Sequence, residues 1–281
     1  MTTTGHTPTT TTTTQAYLSA IDLWVEQRGE GPDVLLIGGL GDSVEAWQPQ
    51  LDALPGSYRL TAFDNRGAGR SPLPDGPLSL AGMADDAASV LRALDIPNAH
   101  VAGFSGGSVI AQELALRHPD LVRSLVLVST WGRPDVYARS VMRSVAWMAQ
   151  HAPTERAFLE AFYLWIYTRR AHESGLVAQI IEEALAFPHA ATPEAIQKTL
   201  DAFVVHETLD RLHAVTVPTL VLLGGQDLLI PPLYGRAVAA AISGAVFEVW
   251  DEEAHQPFQE VPEAFNARVD HFWREVDGTA S

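Results

Sequence analysis

Six short apolar runs alternate along the chain with segments whose hydrophobic residues recur at helical spacing. Glycine, proline or aspartate bounds these runs, which are DVLLIGG (33–39), RLTAFD (59–64), HVAGFS (100–105), SLVLVST (124–130), TLVLLGG (219–225) and AVFEVWD (245–251). Continuous rather than alternating apolar runs are typical of strands that a parallel sheet buries on both faces. The pattern therefore predicts the strands of a parallel sheet.

The segments between the runs predict helices. Residues 79–95 carry apolar side chains at helical spacing, residues 108–119 end at a proline, and residues 261–276 have Pro262 near the first turn. Strand and helix alternate over most of the chain, which predicts an α/β fold with a mostly parallel, doubly wound sheet.

One interval, 131–212, interrupts this alternation with amphipathic helical patterns such as VMRSVAWMAQHA and RAFLEAFYLWIYTRRA. Because strand-like runs resume at Thr219, we interpret the interval as a helical insertion covering one edge of the sheet rather than as a separate domain. The predicted core therefore comprises residues 16–130 and 213–278.

The first fifteen residues, MTTTGHTPTTTTTTQ, are a low-complexity threonine segment. Such a segment cannot bury apolar surface, so residues 1–15 are predicted to be a disordered tail. The segment has neither the basic nor the apolar region of a secretory signal. No apolar stretch reaches the roughly 20 residues that a membrane helix needs. We therefore expect a cytoplasmic protein.

The charge and cysteine content exclude several classes of function. The 281 residues include 18 basic and 34 acidic side chains, for a net charge of −16, and no cysteine. This charge repels phosphate backbones and anionic lipid, which disfavours nucleic-acid and membrane partners and leaves a small molecule as the expected partner. No histidine pair with metal-ligand spacing and a carboxylate partner is present, so we expect neither a metal nor a cofactor. The sequence does not indicate an oligomeric state.

A candidate nucleophile, Ser105, lies in the segment Gly103–Gly107, which fits the pattern G-x-S-x-G. A predicted strand precedes the segment and a predicted helix follows it, which is the context of a nucleophile elbow. The glycines let the chain fold back sharply and expose the serine above the sheet. Because a serine hydroxyl is a weak nucleophile, it needs a histidine base that an acid holds in place.

Asp227 and His255 are the candidate acid and base. Each follows a predicted strand, so both are expected at the carboxyl edge of the sheet, in the chain order Ser, Asp, His that an elbow requires. Alternatives stay open, because Asp227 could instead cap the next helix and His255 could be a solvated loop residue. Asp135 is an alternative acid, and His206 and His213 are rival histidines for a role in the pocket.

The first strand ends in the glycine-rich segment Gly38–Ser43. Glycines allow backbone N–H groups to face a cavity, and we expect the amides of Leu40 and Gly106 to form an oxyanion hole. Glycine-rich turns also bind phosphates, but this spacing matches neither G-x-G-x-x-G nor a P-loop with its lysine. A nucleotide cofactor is therefore not expected.

Two further segments extend the pattern. Residues 64–71 match D-x-R-G-x-G-x-S, residues 255–262 match H-x-x-x-x-E-x-P, and Trp47 follows the glycine-rich loop. With the elbow, these motifs resemble those of the cap-bearing α/β-hydrolases, and the resemblance extends from about residue 17 onward. Within that family the chain is most similar to small esterases and lactonases of the enol-lactonase and cofactor-free haloperoxidase type. The resemblance implies an α/β-hydrolase core with a helical cap.

Two positions depart from the family pattern. Gly38 stands where a histidine is usual, and Gly106 stands where a bulkier residue is common. Neither departure removes a catalytic group, but both predict a wider or looser site. A serine nucleophile disfavours two relatives, the epoxide hydrolases and the haloalkane dehalogenases, whose nucleophile is aspartate.

Aromatic residues are frequent in the interval 131–212. Their spacing is more typical of packing than of ligand contact, but cap helices of this fold also line the pocket. We expect a fairly hydrophobic substrate with little or no charge. The pocket residues that we predict are Phe104, Trp131, Trp165 and His206.

These features predict a serine hydrolase that cleaves an ester or lactone through an acyl-enzyme. Two alternatives stay open. The same triad could serve a thioesterase or cyclase of a polyketide-like product, or the fold could serve as a catalytically silent ligand-binding protein. A receptor has little need of all three catalytic groups, which disfavours the last alternative.

Overall fold

The structure is a computed structural model that describes residues 13–280. Its eight strands are β1 (Thr13–Leu18), β2 (Leu23–Arg28), β3 (Asp33–Ile37), β4 (Arg59–Phe63), β5 (Ala99–Phe104), β6 (Val122–Val128), β7 (Thr219–Gly224) and β8 (Val246–Trp250). They form one sheet in the order β1-β2-β4-β3-β5-β6-β7-β8. β2 pairs antiparallel with β1 and β4, and all other neighbours are parallel. The predicted α/β class and mostly parallel sheet are therefore confirmed.

Eleven helices surround the sheet within the described residues. They are α1 (Gln48–Ala53), α2 (Leu80–Ala93), α3 (Gly106–Arg117), α4 (Val136–His151), α5 (Glu155–Tyr163), α6 (Arg169–Glu173), α7 (Leu176–Ala186), α8 (Pro193–Val205), α9 (Pro232–Ala241), α10 (Pro257–Glu260) and α11 (Pro262–Val276). Short 3-10 helices span Val44–Trp47, Pro119–Leu121 and Leu209–Ala214.

Two hydrophobic cores lie on opposite faces of the sheet. In β3, Leu35 and Ile37 pack with α2, α3 and α9 on one face, and Val34 and Leu36 pack with α1 and α11 on the other. Both sets of side chains are buried because helices cover both faces. This explains why the central strands are continuously apolar in sequence.

The helices α4 to α8 lie between β6 and β7, inside the interval 131–212. Four of them begin at a residue whose side chain accepts a hydrogen bond from the backbone N–H three positions later, namely Asp135, Thr154, Thr168 and Thr192. These N-caps satisfy backbone donors that a helix leaves free at its start. Helix α4 packs on α8 and α5 on α7, and together they cover the carboxyl ends of the strands. Helices α4 to α8 are called the cap below.

The N-terminal hairpin of β1 and β2 lies outside the six predicted strands. Most of β1 is exposed, so it has no apolar run to mark it. The prediction of a disordered tail as far as residue 15 is wrong for Thr13 to Gln15, which pair with Glu26 to Arg28. The rest of that predicted tail, residues 1–12, lies outside the described residues. Across residues 13–280, no helix combines the length and the apolar character required to cross a bilayer.

Candidate active site

Ser105 stands at the turn between β5 and α3, with φ 52° and ψ −122°. A positive φ is strained for a residue other than glycine and persists only where the surroundings impose it. Glycines on either side allow the turn: a Cβ on Gly103 would lie 2.3 Å from the carbonyl oxygen of Gly107, and one on Gly107 would lie 2.2 Å from that of Ile37. The sharp turn therefore sets the serine at the carboxyl edge of the sheet.

Asp227 and His255 form a buried hydrogen-bonded pair next to this edge. Asp227 Oδ2 accepts a hydrogen bond from His255 Nδ1 at 2.6 Å, and the two side chains are 0% and 2% exposed. Asp227 Oδ1 accepts two more, from the amides of Leu229 at 2.9 Å and Ile230 at 2.8 Å. These contacts fix the carboxylate, which in turn orients the imidazole and leaves Nε2 as its free acceptor.

The alternative acid and the rival histidines lie elsewhere. Asp135 caps α4 and accepts a hydrogen bond from the hydroxyl of Tyr234 at 2.7 Å. His206 Nε2 lies 2.8 Å from a carboxylate oxygen of Glu113, and His213 is an exposed residue bonded to its own turn. None of these three side chains lines the cavity that contains Ser105 and His255.

Ser105 and His255 line one cavity. None of the hydrogen bonds formed within residues 13–280 joins the Ser105 hydroxyl to the His255 ring. Catalytic hydrogen bonds of this kind often shorten only when the substrate is bound.

The glycine-rich loop after β3 is held by two side chains that the sequence analysis did not single out for this role. Asp42 Oδ2 accepts a hydrogen bond from the amide of Gly39 at 2.8 Å, and Asn65 Nδ2 donates one to the carbonyl of Gly38 at 3.1 Å. Within the described chain, the amide of Leu40 has no acceptor. The loop is therefore braced without the histidine that is usual at position 38.

The second expected oxyanion donor, the amide of Gly106, belongs to the first residue of α3. An amide in the first turn of a helix has no partner within the helix, and the helix dipole favours negative charge there. A Cβ on Gly106 would lie 2.1 Å from the ring of Phe203. The expectation that glycine widens the site here is therefore wrong, because a ring from α8 fills the space.

Asp64, in the D-x-R-G-x-G-x-S motif, ties two loops together. Its side chain is fully buried and accepts hydrogen bonds from the amides of Val44 and Arg70, each at 2.7 Å. A Cβ on Gly69 would lie 2.2 Å from the Asp64 carboxylate, so glycine is required there. Burial raises the pKa of Asp64, and the two amides partly oppose that rise.

The cavity above Ser105 has a volume of about 1100 Å³. Phe104 and Trp131 line it, together with apolar residues of the cap helices that include Val141, Met142, Phe158, Leu159, Phe162 and Phe203. A lining of this kind suits a largely apolar small molecule.

Two of the predicted pocket residues do not line this cavity. Trp165 packs on a separate cluster inside the cap, and His206 turns toward Glu113 on α3. The prediction that Trp165 and His206 line the substrate pocket is therefore wrong. Helical spacing identifies an apolar face, but it does not determine which of two surfaces that face contacts.

Three titratable groups besides His255 stand in the catalytic part of the cavity. Burial raises the pKa of Asp42 to about 6, although the Gly39 amide and the nearby His255 partly oppose that rise. Burial also raises the pKa of Tyr163 and Tyr167, so both phenols stay protonated near neutral pH. Across residues 13–280, no cluster of three or more His, Asp or Glu side chains has an arrangement that could hold a metal ion.

Comparison with known proteins adds to this geometry. The profile of the alpha/beta hydrolase fold matches residues 32–260. RutD of Azorhizobium caulinodans, which is assigned as a carbamate hydrolase, is 32% identical over 256 residues, covering 91% of this chain and 96% of that protein. RutD of Variovorax paradoxus is 38% identical over 208 residues, covering 72% and 76%.

Solved structures of similar proteins have the same fold. The enol-lactonase from Burkholderia xenovorans LB400 superposes with a TM-score of 0.81 at 26% identity, covering 92% of this chain and 99% of that one. BpoC from Mycobacterium tuberculosis H37Rv, assigned as a non-heme bromoperoxidase, superposes with a TM-score of 0.80 at 29% identity, covering 90% and 96%. The predicted resemblance to the enol-lactonase and haloperoxidase type is thereby confirmed. The chain is an enzyme of the α/β-hydrolase fold family.

Proposed function

We propose that this enzyme is a serine hydrolase that cleaves an ester or lactone bond in a largely apolar small molecule. One observation carries the proposal: a serine on a strained elbow shares a cavity with a histidine whose Nδ1 is 2.6 Å from a buried carboxylate. Nucleophile, base and orienting acid are the three parts that acyl transfer to water requires.

The first half-reaction forms the acyl-enzyme. Ser105 Oγ bonds to the carbonyl carbon while its proton passes to His255 Nε2, and the amides of Leu40 and Gly106 donate hydrogen bonds to the resulting oxyanion. When the oxyanion collapses, the bond to the leaving oxygen breaks and His255 returns the proton to that oxygen. Asp227 keeps the imidazole in the required tautomer and stabilises its cationic form.

The second half-reaction restores the enzyme. Water attacks the acyl carbon, His255 accepts a proton from that water, and the bond to Ser105 Oγ breaks as His255 returns the proton to the serine. The net result is one carboxylic acid and one alcohol, or one hydroxy acid from a lactone. No group outside the chain and the water is needed.

The apolar lining supports a substrate with a hydrophobic body. The curated relatives quoted above are assigned as carbamate hydrolases, and a carbamate presents the same acyl carbon bonded to a heteroatom. We therefore include carbamates beside esters and lactones as candidate substrates. A thioesterase or cyclase would use the same first half-reaction and differ only in the acceptor of the acyl group.

The test is hydrolysis of a neutral chromogenic ester, 4-nitrophenyl butyrate, by the wild type and by Ser105→Ala, His255→Ala and Asp227→Asn. We expect kcat/KM to fall about 10⁴-fold or more in each variant. Ser89→Ala, which alters a serine of α2 outside the cavity, is the matched control and should keep wild-type activity.

A second measurement identifies the acceptor of the acyl group. In ¹⁸O-labelled water, hydrolysis places the label in the free acid, whereas transfer or cyclisation yields an unlabelled product. Undiminished turnover by Ser105→Ala would overturn the proposal.

A further inference from the structure

The cavity wall has an asymmetric charge. Within the described residues, its lining includes five carboxylates and no lysine or arginine, the acidic residues being Asp42, Glu45, Asp52, Glu155 and Glu183. The chain as a whole has 34 acidic and 18 basic residues. In that proportion, one or two of five charged side chains would be cationic, whereas all five in this lining are acidic.

Four of these carboxylates stand where the cavity meets solvent, and none of the four is fully buried. Two of them are already paired with arginines outside the cavity lining. Arg70 Nη1 is 3.2 Å from Glu45, and Arg28 Nη1 is 2.7 Å from Asp52. Exposed pairs of this kind contribute little to the field inside a cavity because solvent screens them.

Asp42 differs from the other four. It is half-buried like Glu45, but it lies on the loop after β3 and its charge interacts with His255 and with the neutral phenols of Tyr163 and Tyr167. Its one hydrogen bond among residues 13–280 comes from the amide of Gly39, and no arginine or lysine pairs with it there. Asp42 therefore presents an unneutralised carboxylate to the catalytic centre.

Holding such a charge in a partly desolvated place is unfavourable unless a partner compensates it. Burial raises the pKa of Asp42 to about 6, so the group is still ionised near pH 8. A nearby cation on the bound substrate would relieve this cost, and a nearby anion would increase it.

We propose that Asp42 is a specificity-determining residue, and that the enzyme favours substrates with a cationic group, such as an ammonium, a few bonds from the reacting carbonyl and disfavours those with an anionic group there. The inference rests on the proposed hydrolase function and narrows its substrate class. The cationic group occupies the space beside the oxyanion loop, and the apolar body occupies the cap side of the cavity. Asp42 contacts the substrate charge and takes no part in the proton transfers.

Three thioesters that release a thiol provide a matched test. Butyrylthiocholine carries a permanent cation, S-(3,3-dimethylbutyl) thiobutyrate is its neutral isostere, and S-butyryl-2-mercaptoethanesulfonate carries a permanent anion. All three form the same butyryl-enzyme, so kcat/KM compares only the steps up to acylation.

For the wild type we expect kcat/KM to decrease from the cationic to the neutral to the anionic thioester, with about a 100-fold span between the two charged ones. Asp42→Asn keeps an acceptor for the Gly39 amide but removes the charge, and should reduce this span at least about tenfold. Asp42→Ser also removes the charge, with a smaller side chain, and should reduce the span in kcat/KM by a similar factor. Asp120→Asn removes an equal charge at an exposed position away from the cavity and should keep the wild-type span.

Binding of the intact thioesters to Ser105→Ala, measured by calorimetry, separates the two proposals. Tighter binding of the cation that is lost in Ser105→Ala/Asp42→Asn supports the role of Asp42 even if the wild type turns over none of the three, in which case the hydrolase proposal is the one that fails. Equal binding of all three, or a span in kcat/KM that Asp42→Asn and Asp42→Ser leave unchanged, overturns the role of Asp42 and leaves the hydrolase proposal standing.

Discussion

Two carboxylates, the half-buried Asp42 in the cavity wall and the fully buried Glu113 in α3, have opposite surroundings. Glu113 is 2% exposed and interacts with His206 and Arg211, the Arg211 Nη1 atom lying 3.3 Å from Oε2. Asp42 has one backbone amide as its partner. Burial would raise the pKa of both groups, but the hydrogen bonds from His206 and Arg211 bring the pKa of Glu113 to about 2, whereas that of Asp42 rises to about 6.

The difference follows from where each carboxylate stands. Glu113 joins α3 of the core to the segment that follows α8, so its charge is compensated and contributes to stability. Asp42 faces the catalytic cavity, where a protein cation would occupy the space available to substrate. A carboxylate without a cationic partner thus faces the catalytic cavity, and perturbed groups of this kind are common at functional sites.

The largest effect on stability is expected at Glu113. Glu113→Ala leaves His206 and Arg211 without their buried partner and should lower the free energy of unfolding by about 3 kcal/mol, as measured by urea denaturation at pH 7. The activity of the folded variant should stay at the wild-type level, because Glu113 does not line the cavity. A decrease in the free energy of unfolding of less than about 1 kcal/mol would show that the interactions of Glu113 with His206 and Arg211 contribute no more than a surface ion pair.

The contribution of Glu113 should also depend on pH. Its pKa falls from the ordinary value of 4.5 to about 2 on folding. The stabilisation is therefore fully present above about pH 4.5 and is lost as the pH falls toward 2. Denaturation of the wild type and Glu113→Gln at pH 7 and pH 3 should show a smaller stability difference at the lower pH, and a constant difference would contradict this account.

The contribution of Asp42 to stability should depend on pH in the opposite direction. Its pKa rises from 3.8 to about 6 on folding, so its contribution is most favourable below pH 3.8 and is lost as the pH rises through 6. Asp42→Asn should therefore stabilise the protein by about 2 kcal/mol at pH 8, less than the raised pKa alone implies because the cavity admits water. The gain should disappear near pH 4. A destabilised Asp42→Asn at pH 8 would indicate that the charge itself holds the loop.

The smallest effect is expected at an exposed pair, which serves as the reference for the other two. Glu207 lies 3.3 Å from Arg133 with both side chains more than 35% exposed. Glu207→Gln should change the free energy of unfolding by less than about 1 kcal/mol and lose that effect in 1 M NaCl. A larger change would mean that the comparison between buried and exposed carboxylates does not hold in this protein.

The sequence predicted the parts of the fold that depend on strong local patterns. Strands buried on both faces have continuous apolar runs, so β3 to β8 could be located closely, whereas the exposed strand β1 has no such run. The candidate residues Ser105, Asp227 and His255 could be selected because each follows a strand within a few residues, and the carboxyl ends of parallel strands meet at one edge.

Other features depend on contacts between distant segments. Asp42 can brace the loop only when the loop folds back so that its carboxylate reaches the Gly39 amide. The acid at the end of the glycine run was nevertheless a signal in the sequence that could have identified it. The contact of Phe203 with Gly106 joins residues far apart in sequence, so no local pattern reports it. The same holds for His206 and Trp165, which face Glu113 and the cap interior rather than the cavity.

The central claim is that Ser105 is an activated nucleophile, and covalent labelling tests it most directly. The wild type, Ser105→Ala and Asp42→Asn would be treated with a fluorophosphonate and their intact masses measured, followed by peptide mapping. We expect one adduct per chain on Ser105 in the wild type and in Asp42→Asn, and none in Ser105→Ala. A folded wild type that takes up no label, or a label that persists in Ser105→Ala, would contradict the account.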